Sequence, residues 1–119
     1  MITFPEVRLG QRALCDRIGA DFVPSPVSSK VGISQNFDLF NEPINGLRHL
    51  PVGDTTGWYI WSGEELSSAA DFFQPIHVSH LIEASSPVVR FLGLPPGWRF
   101  LFDAAGYEDI WFDESLLLV

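Results

Sequence analysis

The chain is poor in cysteine and lysine and has no long apolar run. Cys15 is the one cysteine, which excludes an internal disulfide framework and a Cys-rich zinc site. Lys30 is the one lysine, so Schiff-base chemistry has almost no candidate. The longest apolar runs, such as Leu116–Val119, are a few residues long, far below the roughly 20 a membrane span needs. Met1–Gly10 carries no apolar stretch behind a basic start, so no signal peptide is expected. Neither Gly-x-x-x-x-Gly-Lys nor Gly-x-Gly-x-x-Gly occurs, and Ser62 stands outside any Gly-x-Ser-x-Gly frame; a nucleotide site and a nucleophile elbow have no support. Charged residues are only 18% and hydrophobic residues 46% of 119, which argues against disorder. A chain of this length can bury a core without staples. The expectation is one domain's worth of cytoplasmic protein.

The net charge is −8, and it is unevenly placed. Residues 1–30 hold four cations and three acids, a surplus of +1. Residues 31–119 hold three cations against twelve acids, a surplus of −9. Such a body repels phosphate backbones and anionic lipid, so neither nucleic acid nor membrane is an expected partner. A basic protein is favoured, because opposite fields speed encounter; solubility alone also explains an acidic surface.

Composition and spacing divide the chain at about residue 30. Segment 1–30 reads as a helix and a linker. Leu9, Ala13, Leu14 and Ile18 are roughly helically spaced, Gly19 suits a C-terminal cap, and Pro24–Ser29 reads as the linker. Segment 31–119 reads as an α+β domain. Strands are expected at 31–34, 46–51 and 58–62, the last ended by Gly63, with a turn over 53–57 and a loop or single turn over 67–71. Pro75–Ala84 reads as a helix with Ile76, Leu81 and His80 facing inward. A second helix starts at Ser86-Pro87, where Ser caps and Pro suits the first turn, and stops at Gly93.

The clearest local signal is a C-terminal hairpin over 98–113. Trp98–Asp103 and Tyr107–Asp113 both alternate, with Ala104-Ala105-Gly106 between them. A three-residue loop with Gly in the left-handed position sets Trp98 opposite Phe112, Phe100 opposite Ile110 and Phe102 opposite Glu108. One face is then apolar. A two-residue loop would set Phe100 against Trp111 and break the match. The opposite face carries Arg99, Asp109, Trp111 and Asp113, with Arg99 placed for a cation–π contact on Trp111. The fold class expected is α+β: a mostly antiparallel sheet of four to six strands, two to three helices from 7–19 and 76–93 on one face, and this hairpin at the end.

Candidate chemistry is thin. His77 and His80, with Glu83, would form a stripe on one short helix, which rarely wraps a metal. Glu64-Glu65 and Glu108-Asp109 are neighbours in sequence, so neither pair converges by itself for acid–base work. Cys15 reads as a small core residue. No metal, cofactor or catalytic residue is therefore assigned. Aromatics are the excess: four Trp and ten Phe. In Trp58-Tyr59-Ile60-Trp61, alternation puts Trp58 and Ile60 on one face and Tyr59 and Trp61 on the other. Either helices cover the second face or it is exposed as a binding surface.

Three stretches in order carry a resemblance. They are Arg48-His-Leu-Pro51, then Asp54-Thr-Thr-Gly57-Trp58-Tyr-Ile-Trp61-Ser62-Gly63-Glu64-Glu65, then the segment from Pro75. Together they resemble immunity family thirty-three of bacterial polymorphic toxin systems. The closing Leu94-Pro-Pro-Gly97-Trp98 and Tyr107-Glu-Asp-Ile-Trp111-Phe-Asp-Glu114 look like the end of its relatives. The resemblance covers about residues 31–116. One departure is the Thr55-Thr56 pair between Asp54 and Gly57, where the family pattern has Asp-Ser-Gly-Trp. What the resemblance implies is a small α+β domain, not an enzyme, that binds and neutralises a cognate toxin. The acidic balance makes a basic toxin domain the expected partner. Trp61, Glu64, Glu65, Asp109, Trp111 and Asp113 are the expected contacts and Trp58 a structural residue. Two other readings stay open: a small-ligand or carbohydrate-binding domain using exposed Trp and carboxylates, and an enzyme using His77 or His80 with a glutamate.

Overall fold

The computed structural model describes residues 4–67, 69 and 71–118. Ser68 and Ala70, within the expected 67–71 loop, lie outside the described residues, as do Met1–Thr3 and Val119. Helix α1 (Phe4–Ile18) leads into strands β1 (Lys30–Ser34), β2 (Ile44–Arg48), β3 (Thr55–Ser62) and β4 (Phe73–His77). Helix α2 (Val78–Glu83) and a first 3₁₀ turn (Pro87–Phe91) follow, then β5 (Trp98–Phe102), β6 (Glu108–Phe112) and a second 3₁₀ turn (Glu114–Leu117). The six strands form one mixed sheet in the order β4-β1-β3-β2-β5-β6. Only β1 and β3 run parallel; the other four pairings are antiparallel. The architecture is α+β with one long helix.

The C-terminal hairpin has the expected register. Trp98 pairs with Phe112, Phe100 with Ile110 and Phe102 with Glu108. Gly106 takes φ +98° at the end of the loop, and the Asp103 amide donates to the Tyr107 carbonyl. Paired residues share a face, so Ile44, Gly46, Trp58, Ile60, Phe100 and Phe102 point to one side of the sheet. The Phe100 ring lies so close over Gly46 that a Cβ there would overlap it.

This side is the core face. Val7, Leu14 and Cys15 of α1, Val78 and Leu81 of α2, and Val88, Val89, Phe91 and Leu92 pack on it in one cluster. Phe91 stacks on Phe100 with centroids 4.2 Å apart and planes 8° apart. The buried stripe of α1 is Val7, Gln11, Leu14 and Cys15, a spacing of three and four; Leu9 and Ala13, expected inward, are exposed. Buried polar bonds tie this helix down: Gln11 Nε2 donates to the Val89 carbonyl at 2.9 Å and Cys15 Sγ to the Gly93 carbonyl at 3.5 Å. Gly19 at φ +74° ends α1, and the Gly19 and Ala20 amides donate to the Asp16 and Cys15 carbonyls, the bond pair of a Schellman motif.

Several boundaries differ from expectation. The segment expected as a helix from Pro75 is a strand up to His77, and α2 has six residues. β4 is an edge strand, where Pro75 removes no ladder bond the sheet needs. His80 is exposed rather than inward. The expected turn over 53–57 is shorter, because Thr55 already pairs with Lys30. The second strand lies two residues earlier, at 44–48. The Ser86-Pro87 start is as expected, with Ser86 Oγ accepting from the Val88 amide, but the turn that follows is 3₁₀.

Candidate functional site: the open face of the sheet

The other face of the sheet has no long helix. It carries Asn45 and Leu47 of β2, Tyr59 and Trp61 of β3, Arg99 and Leu101 of β5, and Asp109 and Trp111 of β6. The second 3₁₀ turn folds back over its middle. Asp113 caps that turn through an Oδ1 that accepts from the Ser115 amide at 3.1 Å. Leu116 is thereby set against Leu47 and Trp61 in a second buried cluster, with Phe72 and Phe73 packed beside it.

The expected site residues divide in three. Trp61 is 4% exposed and lies beneath Leu116, Phe72 and Phe73, so it supports this face from below. Trp58 is 1% exposed in the main core, as a structural residue should be. Asp109 is exposed on β6, and Trp111 and Asp113 are half-buried beside it. Arg99 lies over the Trp111 ring with its Cζ 5.4 Å from the centroid, and its Nη1 donates to Asp113 Oδ2 at 3.2 Å. The Asp113 carboxyl is held below the ordinary carboxylate value, first by its bond from Ser115 and then by Arg99. Glu64 and Glu65 are exposed in the loop after β3. Asp109 and Trp111 therefore share one sheet face, and the exposed Glu64 and Glu65 lie in the loop that follows Trp61 and Ser62.

A cavity of about 580 Å³ opens on the same face. Leu47, Tyr59 and Phe73 line it from the sheet and Leu116 from the second 3₁₀ turn. Its lip is Leu50, Val52 and Leu66, all exposed, Val52 by 75% and Leu66 by 52%. Two of its polar atoms are engaged within the protein. His49 Nδ1 lies 3.1 Å from the Leu116 carbonyl, and Thr55 Oγ1 donates to the Val52 carbonyl at 2.7 Å. Among the described residues the lining holds no tryptophan and no carboxylate. None of these lining residues was singled out as a site from the sequence. The signals present were Tyr59 on the second aromatic face and His49 within Arg48-His-Leu-Pro51; the rest was hidden because the cavity is assembled from β2, β3, β4, the loops after β2 and β3 and the C-terminal turn.

The two anchors of the sequence motifs are structural. Arg48 is 2% exposed. Its Nε donates to the Thr56 carbonyl at 2.9 Å, and its Nη1 to the Val23 and Leu94 carbonyls at 2.8 and 2.7 Å. Desolvation lowers its pKa to about 10, so it stays charged at neutral pH. Gly57 takes φ +89°, and a Cβ there would collide with the His49 carbonyl oxygen. Asp54 forms an exposed ion pair with Lys30 at 2.9 Å.

His77 and His80 meet edge to face, 5.6 Å between centroids. Among the described residues no group of three or more His, Cys, Asp or Glu is placed to hold a metal ion. No helix among them is long and apolar enough to cross a membrane.

These features define a small α+β domain whose sheet is helix-covered on one side and partly open on the other. The chain belongs to the Imm33-like domain family, an immunity-protein family whose model matches residues 10–113. The match takes in much of α1 as well as the whole sheet. No curated protein and no solved structure matches the chain.

Proposed function

We propose that the protein is a non-catalytic immunity protein that binds a cognate basic toxin domain through the open face of its sheet. Family membership supports the class of function. The observation that carries the charge of the partner is the disposition of the cations. Arg17 and Arg90 pair with Glu108, Lys30 with Asp54 and Arg99 with Asp113. Arg48 is buried, Arg12 stacks on Phe22 and Arg8 bonds to Gln11 and the Ser25 carbonyl. All seven cations thus have partners other than Glu64, Glu65 and Asp109. These carboxylates make no ion pair among the described residues, so their field is left for a partner. Trp111 is the aromatic anchor of this face, and Trp61 fixes the sheet beneath it.

Co-expression with the toxin domain encoded at the same locus tests the reading. The wild-type chain restores growth and co-elutes with the toxin. A chain carrying Glu64→Gln, Glu65→Gln and Trp111→Ala does so less well. A wild-type chain that neither restores growth nor co-elutes contradicts it. The carbohydrate alternative calls for tryptophan and carboxylates in a concave site, and among the described residues the cavity has neither in its lining.

A further inference from the structure

We propose that the cavity on the open face seats one large apolar side chain of the toxin domain, and that basic residues flank this side chain in the toxin. The proposal rests on the immunity reading for the identity of its partner.

The cavity, at about 580 Å³, is as large as a small-molecule site, roughly 300–1,000 Å³, and so has room for a large side chain. Its lining is mostly apolar, and among its polar groups His49 Nδ1 and Thr55 Oγ1 are already bonded within the protein. Among the described residues it is lined by no Asp, Glu, Lys or Arg, so a charged small ligand finds no counter-ion there. It does offer burial to an aromatic or aliphatic side chain. The exposed lip of Val52 and Leu66 extends that apolar contact beyond the cavity.

The charge sits on the segments that wall the cavity. Glu64 and Glu65 directly precede Leu66, Asp71 precedes Phe72 and Phe73, and Glu114 lies two residues before Leu116. All four are exposed, and none forms an ion pair among the described residues. An apolar cavity whose walling segments carry exposed acids matches the apolar-centre, polar-rim pattern of protein interfaces. The rim also decides the occupant. A second copy of the chain would set acid against acid across a two-fold axis. A basic partner gains from the same rim.

The test has two arms. In the first, NMR follows the labelled full chain as capped tripeptides Arg-Phe-Arg, Arg-Ala-Arg and Glu-Phe-Glu are added at about millimolar concentration. Arg-Phe-Arg is expected to shift Tyr59, His49 and Leu116, with the other two about tenfold weaker. No shift at these residues, or equal binding of Glu-Phe-Glu, overturns the proposal. In the second, Val52→Asp and Leu66→Asp change exposed side chains, so folding is retained and is checked by the unfolding midpoint. Each is expected to weaken toxin binding about tenfold or more. Undiminished binding by both overturns the cavity as the seat and leaves the immunity reading intact. If wild-type protein fails to bind the toxin at all, the immunity reading falls, and the peptide arm still decides the cavity.

Discussion

Arg99 and Trp111 occupy directly opposed positions of β5 and β6, with the guanidinium over the indole at 5.4 Å. The arrangement was readable from the three-residue loop alone, because register fixes which side chains face one another. It holds the Trp111 indole in place on the open face of the hairpin. A double-mutant cycle of Arg99→Met and Trp111→Ala, read by urea unfolding, is expected to give a coupling of about 0.5–1 kcal/mol.

Arg48 bonds three carbonyls from three separate segments at Val23, Thr56 and Leu94. Removing it leaves those acceptors without their donor inside the protein. Arg48→Ala is expected to cost about 3 kcal/mol or more. Arg48→Lys keeps the charge, but one ammonium cannot span three directions, so its loss falls between wild type and alanine. Equilibrium unfolding in urea measures both.

Gly57 and Gly19 both have positive φ, but their surroundings differ. A Cβ at 57 meets the His49 carbonyl, whereas at 19 nothing lies within 4 Å. Gly19→Ala is expected to cost about 1–2 kcal/mol from backbone strain alone. Gly57→Ala adds a clash with fixed backbone to the same strain, so its melting temperature is expected to fall further. Equal shifts in the two variants would contradict the close approach of β3 to His49.

Asp54 and Asp113 both have carboxyls held below the ordinary value of 3.8, the first by Lys30 and the second by Ser115 and Arg99. The unfolded chain therefore takes up these protons first as pH falls. The stability these two groups contribute is present above pH 3.8, and it is lost as pH drops through their lower folded values. Asp54 is exposed and Asp113 half-buried at the surface, so the effect is small and weakens with salt. Asp54→Asn is expected to flatten the acid limb of the stability curve, measured by unfolding between about pH 5 and 2.

Local pattern made much of the fold legible. Alternation set the hairpin register, Ser86-Pro87 marked the 3₁₀ start, and Gly19 marked the end of α1. The strand at Phe73–His77 was hidden because Pro75 suits a first helical turn and the four-residue spacing of Ile76 and His80 imitates a helix. Only the edge position of β4 makes that proline tolerable. The parallel pairing of β1 with β3 depends on a long-range choice that no local period encodes. The fate of the second aromatic face turned on Leu116. Asp113 caps the turn that brings Leu116 over Trp61, so one aromatic of that face is covered while Tyr59 stays 36% exposed. The same fold-back closes one wall of the cavity, so the cavity could not be read from any single stretch.

The central claim is that the uncompensated acids of the open face steer a basic toxin domain onto it. The most direct test is the association rate of the wild-type chain with the toxin domain, followed as ionic strength rises from about 0.01 M to 0.15 M. Over that range the screening length shrinks from about 30 Å to about 8 Å. The account predicts that association slows about tenfold or more, and that Glu64→Gln with Glu65→Gln flattens the dependence. An association rate that does not change with salt would contradict it.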